Sequence, residues 1–146
     1  MRWAALVTAM AVTLVSMPMT GQAQAPAQNG EPGLSVELNK LEPVKNACRA
    51  WLVVRNQTKA ALASLRLDLV MFGADGVIAR RLAVETAPLA AGKTAVRLFD
   101  VEGTACDGIA RILLNDVLSC RDEAGDRDGC LADMAISSRA QAEFVR

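Results

Sequence analysis

Between Ser64 and Phe72 the chain reads SLRLDLVMF, with Leu65, Leu67, Leu69 and Met71 at every second position and Arg66 and Asp68 between them. Side chains of an extended strand alternate between two faces, so this spacing gives one apolar and one polar face. The 3.6-residue period of a helix would scatter the same residues. Gly73-Ala74-Asp75-Gly76 follows, and glycine and aspartate tolerate the positive φ of a tight antiparallel turn. Val77 to Val84 is then the returning strand.

The same signature recurs along the chain. Leu34, Val36 and Leu38 alternate with Ser35, Glu37 and Asn39, in a strand expected to end at Pro43. Cys48 to Arg55 is a second strand, with Ala50, Leu52 and Val54 on one face and Trp51 and Val53 on the other. Asn56 to Lys59 reads as a polar turn and Pro88 to Gly92 as another. Thr94 to Val101 alternates again before Gly103, and Ile109 to Leu118 is the next strand. In the tail, Arg121 to Gly129 reads as a charged loop, Leu131 to Ile136 as a short helical turn and Gln141 to Val145 as a closing strand. About seven short strands with turn signals roughly every 8 to 12 residues predict an all-β, antiparallel β-sandwich of the immunoglobulin-like kind. An α/β design would need helices of about 10 or more residues between strands. No internal repeat is visible.

The sandwich does not begin at residue 1. Met1 and Arg2 form a short positive start, and Trp3 to Val15 is an apolar run broken only by Thr8 and Thr13, as in a secretory signal. The run is short for a bilayer-spanning anchor, the other reading of such a segment. Small residues around Ala23 and Ala25 offer two cleavage points, and cleavage after Ala23 avoids leaving Pro26 at the new terminus. Residues 1–23 are therefore assigned to a signal peptide, 24–33 to a flexible leader rich in Pro, Gly, Asn and Gln, and 34–146 to a single domain. Neither a twin arginine nor a cysteine near the cleavage point argues for another export route or for lipidation. The expected location is the periplasm or the exterior.

Four cysteines, Cys48, Cys106, Cys120 and Cys130, all lie after the signal, and an even count in a small exported domain reads as a disulfide framework. Three pairings are formally open. The favoured one joins Cys120 to Cys130 across a short polar loop and Cys48 to Cys106 across distant segments. A zinc site is disfavoured, because the chain has neither a C-x-x-C pair nor a histidine.

Residues 48–101 resemble the exported bacterial immunoglobulin-like domains of the FxLYD type. The similarity rests on Val53-Val54-Arg55-Asn56-Gln57-Thr58, on Leu67 to Val77 with its Asp-Gly turn, and on Pro88-Leu89-Ala90-Ala91-Gly92-Lys93-Thr94 before the next strand. The resemblance implies a β-sandwich used as an interaction or envelope module, with no catalytic set to carry over.

Composition narrows the function classes. Sixteen basic residues balance sixteen acidic ones, with no basic stripe, which disfavours nucleic acid and anionic membrane as partners. Without histidine, nucleophile-plus-histidine hydrolysis is removed. Paired carboxylates such as Glu102 with Asp107, or Asp116 with Asp122, are the remaining catalytic candidates. Asp122, Asp126 and Asp128 crowd the loop between Cys120 and Cys130, and oxygen ligands at alternate positions before a glycine suit calcium. Arg121 and Arg127 in the same loop are competing partners for those carboxylates. Trp51 and Phe72 each fall on the polar face of their strand. If the two strands are neighbours, they would form an apolar patch flanked by Arg49, Arg55 and Arg66; the other reading is that the leader or the C-terminal tail covers that face. The leading expectation is a non-enzymatic module that binds another cell-envelope protein, without a cofactor. The alternative is a calcium-binding or carboxylate-dependent hydrolytic protein working through the acidic loop.

Overall fold

The structure, a computed structural model, describes residues 33–146, so the signal and nearly all of the leader lie outside the described residues. Nine strands form two sheets: β1 (Leu34–Val44), β2 (Ala47–Asn56), β3 (Leu62–Phe72), β4 (Ile78–Glu85), β5 (Thr94–Glu102), β6 (Arg111–Asp122), β7 (Gly125–Asp126), β8 (Met134–Ser138) and β9 (Glu143–Val145). The first sheet runs β5-β2-β1-β8. The second runs β4-β3-β6, with β7 and β9 both paired to β6. The fold is all-β, with two disulfides joining Cys48 to Cys106 and Cys120 to Cys130.

The alternating apolar residues create the core. Val36, Leu38, Ala50, Leu52 and Val54 of the first sheet meet Leu65, Leu67, Leu69, Met71, Ile112 and Leu114 of the second, all essentially removed from water. Turn chemistry sets which strands pair. Asn46, at φ 59°, closes the hairpin between β1 and β2, and Gly76, at φ 77°, closes that between β3 and β4. In the second turn the Asp75 carboxylate accepts the Val77 N–H at 3.0 Å.

Several expectations are corrected. The sheets are mixed rather than antiparallel, because β8 lies parallel to β1 and β9 parallel to β6. Pro43 does not end β1. Pairing with β8 stops at Leu38, so Pro43 sits where one side of the strand has no neighbour and its missing N–H removes no ladder bond. Asn39 is the extra residue of a bulge between Leu38 and Lys40. Leu131 to Ile136 is not helical: a turn leads into β8, whose pairing with a strand about a hundred residues earlier has no local signature. β6 begins at Arg111, after a 3-10 turn at Cys106–Gly108, and continues through Cys120 to hairpin with β7, so the charged loop is in part a two-stranded hairpin.

The two open sides of the sandwich are closed differently. On one side the tail passes from β8 in the first sheet to β9 in the second. Arg139 N–H donates to Leu38 O, Glu143 N–H donates to Ala110 O and the Ser138 hydroxyl donates to Ala142 O. On the other side, edge strands β4 and β5 are bridged by side chains. Arg80 donates to Glu102 O, and Arg97 donates to Thr86 O and Pro88 O.

Candidate partner-binding face

The register of β2 against β5 pairs Trp51 with Leu98 and Val53 with Val96, at the centre of the two strands. These four side chains point away from the core, since their neighbours Ala50, Leu52 and Val54 are buried on the opposite face. Val96 is 54% exposed and Leu98 50%, while Trp51 and Val53 are half-buried. The result is a contiguous apolar quartet on the outer surface of the first sheet, beside its free edge.

Charged residues frame the quartet. Arg49 makes a two-pronged contact with Asp100, at 2.7 and 2.9 Å, two residues along the register from Trp51 and Leu98. On β1, Lys40 lies 2.8 Å from Glu42, and Glu37 accepts from Arg139 at 3.0 Å. Trp51 is fixed by its indole: Nε1 donates to Glu42 at 3.0 Å, and the Lys40 ammonium sits 5.9 Å from the ring centroid. The rim acids are held ionised. The Asn39 amide and then Arg139 lower the Glu37 carboxyl, Lys40 and then Trp51 lower Glu42, and Arg49 lowers Asp100. Arg55 is exposed at the far end of β2.

The patch foreseen from Trp51 and Phe72 together is corrected, because the two residues belong to different sheets. Phe72 faces outward from the second sheet, where the Arg111 guanidinium stacks 4.9 Å from its ring centroid. Arg66 lies on that same outer face, opposite Ser119, and is exposed. Only Arg49 and Arg55 therefore accompany Trp51.

Asp68, expected to face solvent beside Arg66, is buried on the second sheet's outer side. Arg81 grips both of its oxygens at 2.8 Å, and Asn115, the extra residue of a bulge in β6, donates at 2.6 Å. Arg81 and then Asn115 hold its carboxyl below the ordinary value.

In the acidic loop, Asp122 accepts the Ala124 N–H at 2.8 Å and lies 3.7 Å from Arg127. Asp126 pairs with Arg121 at 3.0 Å, and Asp128 is exposed. Among the described residues no three acidic, cysteine or histidine side chains are grouped to hold a metal ion. Glu102 ends β5, whereas Asp107 lies in the 3-10 turn.

Val96 and Leu98 are the functional candidates that the sequence reading missed. TAVRLFDV carries apolar residues on both faces of the strand, which is itself a signal of an outward apolar surface. Which face looks outward depends on Arg97, which turns to the sheet-to-sheet gap. No family model, curated protein or solved structure matches the chain.

Proposed function

We propose that this chain is an exported, non-enzymatic binding module that holds another protein of the cell envelope on the outer face of the β5-β2-β1-β8 sheet. The observation that carries the reading is the quartet of Trp51, Val53, Val96 and Leu98, two of whose members are at least half exposed on a regular strand surface. An apolar centre with a tryptophan, ringed by charged groups, has the composition of a protein–protein contact surface. Because the rim charges are mostly satisfied by one another, a partner can cover the centre without stranding an unpaired charge.

Two disulfides fit an oxidising compartment, and among the described residues no helix is long and apolar enough to cross a membrane. Placement in the periplasm or outside the cell belongs to the proposal, as does kinship with the FxLYD-type domains, which supports an interaction role. The absence of histidine supports a non-enzymatic reading.

Affinity capture from envelope extract tests it, using the wild type beside Leu98→Asp, Phe72→Ala and an Asp126→Asn, Asp128→Asn variant. A stoichiometric partner lost only with Leu98→Asp is the expected result. Loss with the aspartate variant instead, in a cation-dependent manner, would transfer the function to the acidic loop.

A further inference from the structure

We infer that the same face also packs against a second copy of this chain, the two copies related by a two-fold axis that sets their strands antiparallel. The inference rests on the binding face proposed above and on its distribution of charge. Arg49 with Asp100, Lys40 with Glu42 and Glu37 with Arg139 neutralise one another in pairs. Among the described residues on the strands of this face, Arg55 and Glu102 are the charged groups with no ion-pair contact, Arg55 acting on Glu37 only at longer range. They sit at opposite ends: Arg55 is registered with Thr94 at the start of β5, and Glu102 with Ala47 at its finish.

Trp51 and Leu98, registered with each other, lie midway between those ends, four residues from each along both strands. A two-fold axis in the plane of contact, perpendicular to the strands and through this pair, lays Trp51 and Leu98 on their own counterparts. It also sets Glu102 over Thr94 of the second copy, one strand spacing of about 4.8 Å from that copy's Arg55. Both Arg55–Glu102 contacts form at once. A parallel arrangement would place like charge on like charge at each end.

Pairing along the β5 edge instead is disfavoured by Arg97. Asn56 N–H donates to Lys93 O and Gly103 N–H to Asn46 O, so Thr94, Val96, Leu98 and Asp100 turn their backbone groups to the free edge. The Arg97 guanidinium donates to the Val96 carbonyl at 3.2 Å and so occupies that edge. Strands of nine or so residues in a sheet of four cover on the order of 500 Å² per copy. That is below the roughly 800 Å² per partner of a standard interface, so the pairing is weak and reversible and leaves the face open to a tighter partner.

Sedimentation equilibrium of the purified, disulfide-bonded protein provides the test, with circular dichroism to verify each variant's fold. A monomer–dimer equilibrium is expected below about 1 mM protein, weakened by salt. Leu98→Asp should abolish it. Arg55→Glu alone and Glu102→Arg alone should each raise the dissociation constant about tenfold, and the double reversal should restore it to within about threefold of wild type. A single monomeric species up to about 1 mM, a dimer that survives Leu98→Asp, or a double reversal no better than the singles would each overturn the inference. Partner capture reads the parent proposal separately: a monomer that still loses its partner with Leu98→Asp sinks self-pairing alone.

Discussion

Asn56 shows how one polar side chain can organise a turn from within. Fully buried at the end of β2, it donates to the carbonyls of Ala60, Leu89 and Ala90, and its own carbonyl accepts from the Thr58 N–H and hydroxyl. It thereby ties the loop after β2 to the loop before β5. Asn56→Ala would leave these groups unmatched in the interior, and a loss of about 2 to 3 kcal/mol in thermal or denaturant unfolding is expected. Asp68 makes a pH-dependent contribution. Its folded-state pKa lies below the ordinary 3.8, so its stabilisation is complete above that value and is lost as pH falls through the lower, folded pKa. Unfolding curves measured from neutral pH to about pH 2 should steepen below about pH 4, and Asp68→Asn should flatten that acid limb. The sequence marked Asp68 as outward-facing, which is correct. Its burial depends on Arg81 and on a bulge that brings Asn115 to it, and neither is encoded by local alternation.

Strand alternation was the most legible feature wherever one face was apolar and the other polar. Leu65 to Met71 and Leu34 to Leu38 are such cases, and the core-facing residues there are those the pattern selects. Legibility failed at short elements paired over long distances. MAISS of β8 has no alternation of its own and is a strand because β1 offers it an edge. The proposed binding face was half legible. Trp51 could be assigned to the side away from the core, but its neighbours across the sheet could not, because β5 is separated from β2 by an intervening hairpin in the other sheet. At the same scale, the disulfides differ in the chain they constrain: 58 residues separate Cys48 from Cys106 and 10 separate Cys120 from Cys130. Loop-closure entropy then predicts about 4 kcal/mol for the first and about 2.7 kcal/mol for the second. Paired Cys→Ser variants compared in denaturant should show the larger loss for the first pair. Arg97→Ser should release the Val96 carbonyl and unfasten β5 from Thr86 and Pro88, which light scattering would read as earlier aggregation on heating.

For the whole molecule, the two closures of the sandwich divide its labour. The tail seals one side with backbone hydrogen bonds, while the β4–β5 side is bridged by two arginines and lies next to the apolar quartet. The exposed surface is thus carried on strands fixed by the core rather than on loops, and a partner would meet a rigid platform. Site-specific photocrosslinking in intact cells tests this most directly, with a photoreactive side chain placed either at Leu98 or at Ile78, a somewhat more exposed apolar position on the other sheet. A crosslinked product with another envelope protein is expected from Leu98 and none from Ile78. A product from Ile78 alone, or none from Leu98, would contradict it.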